Sequence, residues 1–412
     1  VAVQRRLRLV QRAFELGPRG WLDRGRRVWS GTDPSPDRTA PSHLDLNTLR
    51  ESLAGRGFVS PREVRALGRW FGGHAPAEAT AVAATARALH TDGVLVFGVR
   101  VPLREGAIDW SADPATGARC WPSGALDESG AIACATGAPT PVDVKRVWEL
   151  GRHQFLGPLA LAAVMQDAPD PARLAVGCLT SWLDACPPGR GIHWASPLEI
   201  ALRVISWCWT MPFLLDHPAL PAATAQRWAD SLAAHYGALR ARLSVHADPT
   251  NHLIGEAVAL WMLAAICPAL PGAAGERQRT SSLLEREVAR QVSADGVSEE
   301  QASGYHMFVL EFLLQMIALG RRHGAPLPAV IVDRARRMVE VLDALLGAGG
   351  EVPQIGDWDD GRAMPCFGVG DWRARAEALV SVGARLLGVA IRPGRPPCPG
   401  LARLLLGDRD EA

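Results

Sequence analysis

From residue 142 onward the chain alternates long apolar stretches at helical spacing with short clusters of Pro, Gly and Asp. This periodicity predicts helices over 142–167, 171–185, 197–215, 221–243, 251–266, 279–292, 299–321, 327–347 and 372–387. Two starts carry capping-box patterns: Ser196-Pro197-Leu198-Glu199, with Pro at the first helical position, and Ser298-Glu299-Glu300-Gln301. The second helix is expected to end at Arg321-Arg322-His323-Gly324, basic residues followed by glycine. Before residue 142 the pattern is different. Residues 1–90 are Arg-rich and broken by Gly and Pro, with helical stretches near Pro61–Leu67 and Pro76–Leu89. The run from Val94 to Pro102 is short and β-branched and reads as one strand, and 108–117 is rich in turn residues.

Helix pairs in this number either stack as a solenoid or close into a ring. No fixed sequence period is present, which disfavours a repeat array. The expected fold is therefore mainly α, an incomplete (α/α) toroid of antiparallel helix pairs behind a small irregular, partly β layer. The expected boundaries are 1–130 for the layer, 131–390 for the toroid and 391–412 for a Pro/Gly-rich tail. No run of alternating short strands follows, so no C-terminal β domain is expected within the chain.

Composition narrows the function. The 412 residues include 44 basic and 43 acidic side chains, and this balance argues against a general nucleic-acid binder, which needs a basic excess. There are 14 Trp but only 2 Tyr; each Trp is either core filling or a stacking platform for a sugar ring. The 8 cysteines form no CxxC pair or zinc-like cluster and read as buried free thiols, and no metal or cofactor site is expected in this chain. No apolar run reaches membrane-spanning length without a charge or break. Residues Val1 to Arg27 are too basic and broken for the apolar segment of a signal peptide, and localisation stays open.

Four constellations carry candidate chemistry. Asn251-His252, followed by Gly255-Glu256, opens a helix whose first-turn N–H groups and dipole favour an anion; the plain reading is a cap and a surface histidine. In Glu300-Gln301-Ala302-Ser303-Gly304-Tyr305-His306, Tyr305 and Gln301 are expected on one helix face, or else Tyr305 is a core tyrosine with a satisfied hydroxyl. The acidic loop Pro353–Gly361, with Asp357 and Asp359, matches no metal-loop spacing and reads as a turn whose carboxylates hold a neighbouring Arg or His. In His193-Trp194-Ala195-Ser196-Pro197-Leu198-Glu199, Glu199 and Arg203 form an i,i+4 pair, buried if inward-facing and otherwise an ordinary helix-surface pair.

One reaction uses all these types. β-Elimination of a uronic-acid polysaccharide requires the sugar carboxylate to be neutralised so that the C5 proton becomes acidic. A base then takes that proton and an acid protonates the departing O4. Asn251 with His252 supplies neutralisation, Tyr305 is the acid or both acid and base, and His306 or His252 tunes Tyr305.

The ordered set Trp148-Glu149-Leu150-Gly151-Arg152 with Gln154, His193-Trp194 through Arg203 and Ser206-Trp207, Asn251-His252 with Gly255-Glu256, Asp295-Gly296 through Tyr305-His306, and Gly356-Asp357 with Asp359 resembles the heparinase II/III and alginate lyase superfamily across roughly residues 90–385. Asp109-Trp110 and Trp121 are similar to that family's N-terminal layer. The resemblance implies a toroid with a cleft for an acidic polysaccharide, Asn251 or His252 neutralising the uronate and Tyr305 transferring the proton. Arg152, Gln154, His193, Trp194, Glu199, Arg203, Glu256, Glu300, Gln301, His306 and Asp357 then line or brace the cleft. It also implies a periplasmic or secreted setting. Members usually continue into a β-sandwich that adds a catalytic His or Tyr near a structural metal; this chain ends first, making such a domain an expected partner. Two other readings remain: a glycan-binding module for polysaccharide assembly or export, and a toroidal glycoside hydrolase using Glu300 with Asp357.

Overall fold

A computed structural model of the chain describes residues 43–104, 108–119, 142–166, 169–245, 250–347, 351–357, 359, 361–364 and 372–407. The helices are α1 (Leu46–Arg56), α2 (Val64–His74), α3 (Pro76–Thr91), α4 (Val144–Gly151), α5 (Leu156–Gln166), α6 (Pro169–Ala185), α7 (Pro197–Leu214) and α8 (Ala222–Arg242), then α9 (Asn251–Ile266), α10 (Ala273–Gln291), α11 (Ser303–Arg322), α12 (Ala329–Leu346), α13 (Trp372–Leu387) and α14 (Pro399–Leu406). A hairpin of β1 (Val94–Val96) and β2 (Val99–Val101) follows α3.

The helices form an (α/α) toroid. Helix α5 packs on α2, α3 and α7; α7 packs on α9, α9 on α11, and α11 on α13. Helix α14 touches both α11 and α2, which brings the last helices alongside the first. The inner helices α7, α9 and α11 are buried on nearly every side. That matches their all-round apolar sequences, since a helix without a polar face must be enclosed. Outer helices such as α12 bury one stripe only, at Ile331, Ala335, Met338, Val339 and Leu342. Helix α11 passes for a membrane span on length and composition, but here it is a core helix enclosed by α9, α12 and α13.

Several expectations are corrected. The single helix over 142–167 is two, α4 and α5, broken at His153, whose φ is 60°. That left-handed turn is costly for a residue with a Cβ, and it is held by the Trp207 indole N–H donated to His153 Nδ1 (3.0 Å) and the Ser206 hydroxyl donated to His153 O (2.8 Å). The single strand is a hairpin turning through Phe97 (φ 44°) and Gly98 (φ 82°), as a tight two-residue turn demands. Neither capping box forms. Ser196 makes no side-chain cap, and α11 starts at Ser303 because Gln301, at φ 49°, lies outside the helix. Gln301 and Tyr305 therefore share no helix face.

Helices α1 and α14 lie in stretches read as irregular. Asp45 caps α1 through the Thr48 N–H (2.8 Å). The first turn of α14 is capped from α3, where the Glu78 carboxylate accepts the N–H groups of Gly400 (2.7 Å) and Leu401 (3.0 Å). The tryptophan question resolves mostly to core: Trp110, Trp182, Trp194, Trp207, Trp209, Trp228 and Trp261 are buried. Cys178, Cys186, Cys208, Cys267 and Cys398 are free thiols. Trp121, Cys120, Cys134 and Cys366 lie outside the described residues.

Candidate active site

In an (α/α) toroid the inner helices run in one direction, so their N-terminal turns gather on one face. Here the starts of α7, α9 and α11 bring Glu199, Asn251 with His252, and Tyr305 to that face, joined by Arg152 and Gln154 from the α4–α5 junction. Each N-terminus carries unpaired N–H groups and partial positive charge, which favours carboxylates and other anions there. The side chains present follow that rule.

Asn251 and Glu300 interlock. One Glu300 oxygen accepts the Asn251 backbone N–H and its side-chain Nδ2, each at 2.9 Å, and the other oxygen accepts Nδ2 at 2.9 Å. Asn251 is buried, and its Oδ1 has no hydrogen-bond partner. His252, beside it, is exposed. Burial of its surroundings lowers its pKa from the usual imidazole value, against the pull of Glu199 and Glu300.

Tyr305 is half-buried, with its hydroxyl 3.3 Å from Asp357 Oδ2 and 3.4 Å from Asp359 Oδ2. Burial, then Asp359 and Asp357, then Glu300 raise its pKa well above the ordinary phenol value. Tyr305 is thus held as a phenol, electrostatically linked to the same Glu300 that grips Asn251. The three expected catalytic residues converge on one cluster.

Arg152 fixes the other side. Its guanidinium meets Glu199 through Nε (2.7 Å) and Nη2 (2.9 Å), and it also pairs with Glu149. Burial opposes the charge, but the two carboxylates outweigh it and keep Arg152 firmly protonated. In return, Arg152 holds Glu199 below the usual carboxylate range despite burial. The expected Glu199–Arg203 pair does not form, since Arg152 offers Glu199 a two-point fit. Lys145 Nζ lies 3.9 Å from Asp359.

Other expected residues sit behind this face. Arg203, completely buried, donates to Gly151 O (2.7 Å), His193 O (2.7 Å) and His235 Nε2 (2.8 Å), with the Trp182 ring 4.7 Å away. His193 donates from Nε2 to Trp110 O (2.6 Å), and Trp194 packs against His235 with ring centroids 4.2 Å apart and planes tilted by 51°. His306 is buried and bonds Met338 O (2.9 Å), so it does not tune Tyr305. Glu256 accepts the Ser244 N–H (2.7 Å) and hydroxyl (2.8 Å), bracing the approach to α9, and burial pushes its pKa up to about 7. Gln154 donates its amide to Arg362 O, and Gln301 is exposed. Sequence reasoning missed Glu149, Asp359 and His235 as site or support residues. Asp359 and Glu149 stood inside motifs already singled out, whereas nothing in the sequence near His235 ties it to Arg203. Among the described residues no three or more His, Cys, Asp or Glu side chains are grouped to hold a metal ion.

The family model described as heparinase II/III N-terminus matches residues 76–364. No curated protein matches the chain. Among solved structures, a heparinase III with methylated lysines aligns at 17% identity and TM-score 0.46, covering 64% of this chain and 40% of its own. The heparan sulfate lyase HepC from Pedobacter heparinus aligns at 19% identity and TM-score 0.42, covering 72% of this chain and 48% of its own. The chain thus spans less than half the length of these two proteins. With a family match running from α3 to the loop after Asp359, over more than half of its residues, the chain belongs to the heparinase II/III N-terminus family.

Proposed function

We propose that the chain is the toroidal part of a polysaccharide lyase that cleaves a uronic-acid polymer by β-elimination. The observation that carries this reading is the convergence of Asn251, His252 and Tyr305 around Glu300 at the N-terminal ends of α9 and α11. Family membership supports the same reaction class.

The roles follow from protonation states. Tyr305, kept as a phenol by burial and by Asp359 and Asp357, is ready to protonate the departing O4. His252 is a neutral imidazole at pH 7 because its pKa lies below the usual value, and it is exposed where a sugar can reach it. It is the base for the C5 proton. The uronate carboxylate is received at the α9 N-terminus, where it displaces one Glu300 oxygen and takes over the Asn251 amide. Glu300 keeps the Asn251 backbone N–H on its other oxygen, which disfavours its use as the acid of a hydrolase.

The test is the pH profile of elimination by wild type and His252→Gln. Because His252 is depressed in pKa, wild-type kcat/KM should rise through an acid limb below the ordinary value of 6.5 and stay flat to beyond pH 10. His252→Gln should lose about 100-fold or more and lose the acid limb. An unaltered acid limb in the variant would remove His252 from the base role. Polymer binding without any unsaturated product would favour a glycan-binding module instead.

A further inference from the structure

The loop that presents Asp357 and Asp359 to Tyr305 is fastened at both ends by buried side chains of the toroid. At its near end, Ser303, the first residue of α11, donates its hydroxyl to Pro353 O (2.7 Å) and accepts the Ile355 N–H (3.1 Å), while its own N–H goes to Ile355 O (3.0 Å). Gly356 then passes so close to α11's approach that a Cβ there would stand 2.7 Å from Gln301 O. At the far end, Glu311, on α11 beyond Tyr305, accepts the N–H groups of Ala363 (2.5 Å) and Met364 (3.2 Å) on one oxygen. Its other oxygen takes Arg375 Nε from α13 (2.6 Å), and Arg375 Nη2 donates to Gly361 O (2.9 Å). Gln154 adds a third hold through Arg362 O.

A buried ion pair is weak evidence for stability, because desolvation offsets much of its attraction. This one is used differently: one Glu311 oxygen and Arg375 Nη2 are directed at three residues of one loop, Gly361, Ala363 and Met364. Resting on the lyase reading, we propose that the Glu311–Arg375 pair, with Gln154, is a positioning device that holds Asp357 and Asp359 against Tyr305. None of the three needs to touch substrate. Their effect runs through the loop to the phenol.

The chain has only two tyrosines, Tyr236 and Tyr305, so carbon-13 labelling of the tyrosine rings gives two NMR signals that report each phenol separately. Three variants of the full chain are compared with wild type: Glu311→Gln, Arg375→Lys and Gln154→Ala. Gln154 is only half-buried, so its variant folds even if the other two do not. In wild type Tyr305 should ionise only well above the ordinary phenol range. In each folded variant its titration should move down toward the ordinary range while that of Tyr236 stays put. Amide exchange at Ala363 and Met364 should quicken, and kcat should fall about 10- to 100-fold with KM changed much less. A Tyr305 titration identical to wild type in the folded variants overturns the proposal, whatever their melting temperatures. The NMR and exchange readouts need no turnover, so a chain that eliminates no polymer sinks the lyase reading without touching this one.

Discussion

One turn of α7 separates Glu199 from Arg203, and the two residues serve different regions. Glu199 reaches outward to Arg152 and the cluster of Asn251, His252, Tyr305 and Glu300, where carboxylates meet a guanidinium and an amide and His252 reaches solvent. Arg203 reaches inward, where, among the described residues, its guanidinium is held by two carbonyls and the unprotonated nitrogen of His235 and by no carboxylate. His235 Nε2 can accept there because Nδ1 donates to Ser231 O at 2.6 Å, which fixes the ring proton on Nδ1. Both regions hold Arg and His side chains. The difference teaches that residue type alone does not separate chemistry from scaffold; the nature of each partner and access to solvent do.

The comparison breaks most visibly at Tyr305. Tyr305→Phe should reduce elimination by about 100- to 10,000-fold and leave the melting temperature nearly unchanged, as monitored by product absorbance and calorimetry. Arg203→Met should do the reverse. It strands two carbonyls and one imidazole nitrogen in the core and should cost about 3 kcal/mol in denaturant unfolding, with a far smaller effect on turnover per folded molecule. Gly151→Ala tests the same interior sterically. A Cβ there would stand 2.1 Å from His193 Nδ1, and about 2 kcal/mol of destabilisation is expected in the same measurement.

A smaller effect concerns acid. Burial, then the Arg203 charge, hold His153 and His235 well below the usual imidazole pKa, and His193 down to about 4. A base with a depressed folded-state pKa stays neutral in the fold while the unfolded chain takes up its proton. The stabilisation is therefore full above 6.5 and is lost as pH falls toward the folded value. Unfolding free energy should drop between pH 6 and pH 5 by about 1 kcal/mol for each such histidine. His193→Asn should flatten that slope in denaturant titrations at the two pH values. An unchanged slope would show that its imidazole is already charged in the fold.

The toroid was readable because its inner helices are apolar on all sides and its outer ones on one, and these patterns survive without any partner in view. The breaks were not. Nothing local to His153 or Gln301 announces a left-handed backbone, since Trp207 and Ser206, more than fifty residues on, hold the first of these turns. Helix α14 was missed for the same reason, its cap being Glu78 from the far end of the chain. At the site, Asn251, His252 and Tyr305 stood out as polar groups opening apolar helices. The i,i+4 spacing of Glu199 and Arg203 misled, because spacing shows which partner is near and not which partner fits best.

The central claim is tested most directly on a uronic-acid polymer and on the same polymer with its carboxyl groups reduced to alcohols, followed in parallel by ultraviolet absorbance and by reducing-end assay. The account predicts that absorbance and reducing ends appear together with the acidic polymer and that neither appears with the reduced one. Reducing ends without absorbance, or equal cleavage of both polymers, would contradict it.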